Sequence, residues 1–221
     1  MTRRQRSSRP GPRRLPDDVV AFEQRERLMA AMATAVAERG YERTTITDIV
    51  TTAAIARPTF YQHFDDKEAC FLATFDALTE HARKLMSEAY DSREEWPEKV
   101  AASLIAMVRF LTEHPEAAKV CLVEVGAVGP AIHDRVERLI EWLIAMLAGR
   151  PGGEAEADDP ARGQHEAVVI GTMMMLSWRF ESGTGGDARS LTGEVIESFL
   201  GPYVGFEQAR EIAEQHWASV N

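Results

Sequence analysis

Within the run ARPTFYQHF, residues 56–64, stand a guanidinium (Arg57), two hydroxyls (Thr59, Tyr61), an amide (Gln62) and an imidazole (His63). All of these groups donate hydrogen bonds, so the run suits an anionic surface of phosphates and base edges. It stands out because the 221-residue chain carries a formal net charge of -10. The spacing sorts the side chains if the run is helical. At about 100° per residue with Phe60 at 0°, Phe64 falls near 40°, whereas Pro58, Gln62 and Thr59 fall near 160°, 200° and 260°. Phe60 and Phe64 therefore turn inward and Pro58, Thr59 and Gln62 outward. Tyr61 and His63 flank the outward face, where an O–H and an N–H meet groove walls lined by phosphates. Lys67 opens the next helix, and its ammonium beside a positive helix N-terminus suits a phosphate clamp.

Other chemistries find no residues. The sequence holds no His/Glu metal pair at i, i+4, no Gly-x-Ser-x-Gly elbow, no phosphate-cradling Gly loop and no Cys-x-x-Cys. His81, His114, His133, His165 and His216 are scattered singly, and Cys70 and Cys121 lack neighbours at zinc-ligand spacing. The expectation is a protein that is not an enzyme and takes no cofactor or metal, with both thiols buried as small hydrophobes. No apolar run approaches the roughly 18–20 residues of a membrane span, and the Arg-rich start is followed by DDVVAFEQRER rather than an apolar signal core. The chain reads as soluble, cytoplasmic and without a membrane partner.

Charge is unevenly placed. Residues 1–67 hold 12 Lys and Arg against 9 Asp and Glu, a net +3, and residues 68–221 hold 13 against 26, a net -13. Arg3, Arg4, Arg6, Arg9, Arg13 and Arg14 sit among Ser, Pro and Gly, the composition of a disordered basic arm over residues 1–21. Such an arm is either a solvated tail or one that follows a phosphate backbone.

The elements that must position these groups are helical, because apolar residues recur at three and four positions and β-branched alternation is nearly absent. The expected fold is all-α. A first helix from about Asp18 to Arg39 carries Leu28, Ala31, Met32, Ala35 and Val36, and Gly40 supplies a left-handed C′ position. Thr45 caps a second helix with Asp48 three residues on, and Thr47, Asp48, Thr51 and Thr52 form its outward face. Pro58 suits the first turn of a third. After Asp65 and Asp66, a long fourth helix carries Phe71, Phe75, Leu78, Ala82 and Leu85 and joins two parts of the molecule. Pro97 and Pro115 open further helices, the second with a stripe at Ala118, Cys121, Leu122 and Val125. Residues 148–163, rich in Gly, Pro, Ala and acid, read as a mobile linker. In AVVIGTMMMLSW, residues 167–178, only Thr172 and Ser177 are polar, so that helix needs burial on every side. One face on its own core and one on a second copy meets that need. With the helix of Leu191 to Leu200 it forms a two-helix face that pairs as a four-helix arrangement, with Val168, Met175, Val195 and Phe199 as interface candidates. A last helix runs from about Phe206 to Trp217.

Three short helices with a tight turn are the parts of a helix-turn-helix. TITDIVTTAAIARPTFYQHFDDKEA, residues 45–69, resembles the DNA-binding signature of the TetR family of transcriptional regulators. The likeness runs from about Phe22 to Ala82. It implies an N-terminal DNA-binding domain, residues 22–82, with the helix-turn-helix at 45–64, and a ligand-binding and dimerisation domain, residues 83–221. Carried onto matching positions, it makes Arg57, Pro58, Thr59 and Gln62 base-facing and Thr47, Tyr61, His63 and Lys67 phosphate contacts, with Thr45 beside them. The chain departs from the family pattern at Ala54, where Gly is common, and at Ala56, where Ser or Thr is. A left-handed Ala54 costs roughly 1–2 kcal/mol and a missing cap at Ala56 about 1 more.

The resemblance implies a homodimer on a palindromic double-stranded operator, a repressor released by a small, largely apolar effector. Candidate lining residues are Met107, Phe110, Met146, Met174 and Trp178, with Glu124 or His114 as polar anchors. The alternative is an acidic helical interaction scaffold without specific DNA binding, which leaves the basic end and the ordered run at 56–64 unexplained.

Overall fold

The computed structural model describes residues 16–149, 161–185 and 187–220, with side chains to residue 215. The six arm arginines and linker positions 150–160 lie outside the described residues. Ten α-helices follow one another: α1 (Asp17–Arg39), α2 (Ile46–Ala53), α3 (Arg57–His63), α4 (Lys67–Asp91), α5 (Trp96–Glu113), α6 (Pro115–Ala118), α7 (His133–Leu147), α8 (Arg162–Glu181), α9 (Ala188–Val204) and α10 (Phe206–Val220). Among the described residues there is no strand, and no helix is long and apolar enough to cross a membrane.

Helix α1 begins at Asp17, one residue before the expected start and inside the span read as the basic arm. Pro16 presents its carbonyl to the amides of Val19 and Val20, both at 3.1 Å, and Asp17 and Asp18 place negative charge in the first turn. At its other end Gly40 has φ 80 and ψ 158, a positive φ with an extended ψ rather than the expected left-handed helical turn. The chain thus leaves straight into Tyr41, whose ring packs edge-on against Phe71 at 4.9 Å.

The apolar stripes of α1, α2 and α3 converge with the first half of α4 on a core containing Leu28, Ile49, Phe60, Phe64, Phe71 and Phe75. That core does not stop at residue 82, for Val120, Cys121, Val128 and Ile132 belong to it. A second core gathers the far half of α4, through Met86 and Tyr90, with α5, α7, α8, α9 and α10. Helix α4 therefore runs through both.

The single helix expected from Pro115 is broken. After one turn of α6, residues Lys119–Val123 form a π turn, followed by 3-10 turns at Val125–Val128 and Pro130–Ile132. The Glu124 amide reaches back five residues to the Lys119 carbonyl at 2.9 Å. Ser177 of α8 donates to the Leu122 carbonyl at 2.8 Å, satisfying an acceptor the widened turn releases. Gly129, at φ 92, and Pro130 then prevent a return to regular helix.

Candidate nucleic-acid interface and ligand cavity

The turn between α2 and α3 is made by alanines. Ala54 is left-handed, φ 50 and ψ 48, the only non-glycine with positive φ among the described residues. Its amide donates to Thr51 O at 3.2 Å and that of Ile55 to Val50 O at 3.0 Å. Arg27 of α1 donates to the carbonyls of Ala53 and Ala54, setting a cation at the negative end of α2. Ala56 starts α3 with no side-chain cap, so the first turn is closed by backbone bonds alone, from Thr59 N at 2.9 Å and Phe60 N at 3.3 Å to Ala56 O.

Phe60 and Phe64 are buried, as the wheel requires, and Arg25 of α1 lies 4.6 Å over the Phe64 ring while donating to His63 O at 3.4 Å. Outside, Arg57, Pro58, Tyr61 and Gln62 are exposed and Thr59 is half-buried. Arg57 Nη1 donates to Thr47 Oγ1 at 3.2 Å and Nη2 to the Tyr61 hydroxyl at 3.3 Å. Thr47 of α2 and two residues of α3 thereby form one exposed donor cluster. Because all three are solvated, an incoming phosphate or base replaces these bonds at little cost.

Three expected DNA contacts already hold other partners. Thr45 serves the cap of α2: its hydroxyl donates to Asp48 Oδ2 at 2.6 Å and accepts from Asp48 N at 3.2 Å. The Thr45 hydroxyl and the Thr45 backbone N–H, which also donates to Asp48 Oδ2 at 2.9 Å, and then Arg39 at 2.8 Å, hold the Asp48 carboxyl below its ordinary range. His63 is half-buried with Nε2 3.2 Å from Gln24 Oε1. Lys67 Nζ donates to Tyr41 O at 2.8 Å and lies 4.1 Å over that ring, pinning the α1–α2 loop to α4. Gln24, Arg25 and Arg27 were not singled out from sequence; the basic spacing in EQRER is the one local signal.

The expected ligand residues do not gather at one site, although the rings of Phe110 and His114 lie 5.3 Å apart. Phe110 and Met146 are buried in separate parts of the interior, and Met107 is half-buried between them. His114 is exposed and lies 3.4 Å from Glu116. Glu124 points toward the loop after α1, accepting from Tyr41 N at 2.9 Å. Met174 and Trp178 are 68% and 60% exposed. An apolar cavity of about 230 Å³ lies instead between α4, the π turn, α7 and α8, walled by Phe75, Leu122, Leu139, Ile140 and Met173, with Met174 at its edge. Of the expected set, Met174 alone lines it.

The dimer candidates lie mostly against the protomer's own interior. Val195 and Phe199 are buried in the protomer's own core, and Val168 and Met175 are half-buried against it. The large apolar residues that α8 exposes are Ile170, Met174 and Trp178, four residues apart on one stripe.

Residues 28–74 match the family model for bacterial regulatory proteins of the tetR family. The fold is similar to that of the fatty acid degradation regulator FadR from Bacillus halodurans, with TM-score 0.69 and 16% identity, covering 82% of this chain and 96% of that one. FadR from Bacillus subtilis, solved with stearoyl-CoA, gives TM-score 0.66 at 18% identity over 81% of this chain and 98% of that one. RolR, solved with resorcinol, gives 0.54 at 22% identity, covering 90% and 96%. At these identities the likeness establishes a shared fold.

Proposed function

On the footing that the chain belongs to the TetR family of bacterial regulatory proteins, a family of DNA-binding transcription regulators, we propose that it is a repressor that binds a palindromic operator as a homodimer. The observation that carries this reading is the donor cluster of Thr47, Arg57 and Tyr61 on an exposed helix seated by Phe60 and Phe64. Arg57, Pro58, Thr59 and Gln62 face base edges, with Thr47 and Tyr61 on phosphates; Thr45, His63 and Lys67 support that surface first and touch the backbone second. Helix-turn-helix dimers meet successive major grooves about 34–36 Å apart. The exposed stripe of Ile170, Met174 and Trp178 supplies the self-complementary face that brings two copies together, α8 packing with α9 across a two-fold axis.

FadR and RolR were solved with small molecules, and the apolar cavity beside the π turn supports an effector site here. A ligand bound more tightly in a form with a different spacing of recognition helices lowers operator affinity by that difference in affinity.

Selection of duplexes from a random pool by the full chain, followed by a salt titration, tests the reading. Each phosphate neutralised by a Lys or Arg adds about -0.9 to the slope of log affinity against log salt. Enrichment of a palindrome with a steep slope is expected. No duplex affinity and a flat slope would overturn it and leave the acidic scaffold.

A further inference from the structure

Beside the apolar cavity lies a second cleft between α4 and α7, about 390 Å³ in volume, into which Arg83, Arg135 and Arg138 project. Phe75 and Leu139 line both spaces, so one opens against the wall of the other. Two carboxylates, Asp76 and Glu80, share the cleft with the three guanidiniums. Arg135 Nε donates to both Asp76 oxygens at 2.9 and 3.0 Å, whereas Arg83 lies 3.9 Å from Glu80 and 5.3 Å from the Trp142 ring. Arg138 is exposed and, among the described residues, has no ion-pair partner. The cleft thus has one cation more than its carboxylates balance, next to a wall with almost no polar surface.

We propose that the two spaces form one amphiphilic site for a ligand with an apolar chain and an anionic head, a carboxylate or a phosphate. This rests on reading the apolar cavity as an effector site and names the ligand class. The chain lies against Leu122, Ile140 and Met173; the head sits on Arg138, with Arg83 beside it and Arg135 within reach. Planar guanidiniums pair with carboxylate and phosphate in two-point geometry, which a hydroxyl head cannot match. The arrangement also gives the head a route to the DNA-binding end. Arg135 and Asp76 line a further groove whose other wall is Tyr61, Gln62, His63 and Phe64, the C-terminal end of the recognition helix. An anion that draws Arg135 away from Asp76 alters that groove.

Calorimetry on the full chain without DNA, using decanoate, decyl phosphate and decan-1-ol, tests the proposal. The anions are expected to bind about tenfold or more tightly than the alcohol, and whichever anion binds better identifies the head as carboxylate or phosphate. Arg138→Glu should weaken both anions by about tenfold more than it weakens the alcohol, whereas Asp76→Asn, which removes a competing carboxylate, should tighten them. Circular dichroism confirms that each variant is folded. Equal binding of all three probes, or an Arg138→Glu protein that keeps the anion preference, overturns the anionic head alone. Failure of all three to bind overturns the effector cavity as well, and neither result bears on duplex recognition.

Discussion

The backbone N–H of Tyr41 donates to Glu124 Oε2 at 2.9 Å, joining the loop after α1 to the residue that follows the π turn. The Tyr41 carbonyl accepts from Lys67 at 2.8 Å, so its peptide groups are held on both sides. The segment that ends at Glu124 also walls the apolar cavity through Cys121 and Leu122. A ligand that moves that wall therefore acts on the N-terminal helices through this hydrogen bond as well as through Val120 and Cys121, which pack in their core. Glu124→Ala should cost about 1–3 kcal/mol, the cost of an unpaired half-buried amide, and should shrink the change in operator affinity that effector causes. Glu124→Gln, which retains an acceptor, should recover most of both. Thermal unfolding and operator titrations with and without effector check this; full coupling in the alanine variant would show that the bond transmits nothing.

The alanine turn predicts two gains. Ala54 sits at φ 50, where glycine carries no Cβ penalty, and Ala56 starts α3 with no side-chain acceptor. Ala54→Gly should stabilise by up to about 1 kcal/mol and Ala56→Ser by about 1. In a chain of this size each corresponds to about 2–4 °C in Tm. A melt of Ala54→Gly below wild type would mean that glycine's greater freedom in the unfolded chain outweighs the relief of the left-handed alanine.

Asp48 gives a pH dependence with a definite sign. Thr45's hydrogen bonds, and then Arg39, lower its pKa in the folded protein. Its contribution is therefore fully present above the unfolded carboxylate value, about 3.9, and is lost as pH falls through the lower folded one. The Tm difference between wild type and Asp48→Asn should be constant from about pH 5 upward and narrow below about pH 4. A difference that widens in acid would reverse the assignment.

Within the recognition surface the replacements should divide. Tyr61→Phe and Thr47→Ala should weaken all duplexes alike and, because neither removes a charge, leave the salt slope unchanged, while Gln62→Ala or Arg57→Ala should change which sequence is preferred, by about 1–3 kcal/mol at one position. Lys67→Met should lower Tm as well as affinity, because the ammonium holds Tyr41. Selection from a random pool with each variant separates these cases. A Lys67→Met protein with unchanged Tm would restore a purely phosphate-binding role.

How much of this was legible depended on the reach of each interaction. The cap of Thr45 on Asp48, the proline of α3 and the inward pair of Phe60 and Phe64 are set within a few residues, and the sequence displays them. The left-handed Ala54 was legible too, but Arg27, which stabilises it, lies 26 residues before Ala53. Ala118, Cys121, Leu122 and Val125 keep helical spacing, so nothing local marks the π turn; its released carbonyl is satisfied by Ser177, 55 residues on. Glu124 carries a charge beside an apolar stripe, which fits a ligand anchor as well as the bond it accepts from the Tyr41 amide. Residues 167–178 of α8 are apolar on nearly every side, and periodicity cannot say which side its own core will take.

That last ambiguity sets the dimer prediction. Leu176 and Val169 are buried inside the protomer, while Ile170, Met174 and Trp178 face outward. A charge introduced on the outward stripe meets water in a monomer and an apolar partner in a dimer, so its cost falls on association. Met174→Glu should leave the helical spectrum intact, convert the dimer to monomer by sedimentation, and reduce operator affinity steeply, since one protomer then has a single recognition helix to offer. Phe199→Glu should instead unfold the C-terminal part, because that ring is 2% exposed within its own core. If Met174→Glu sediments as a dimer, copies associate through another face, and the stripe must be covered by something other than a second chain.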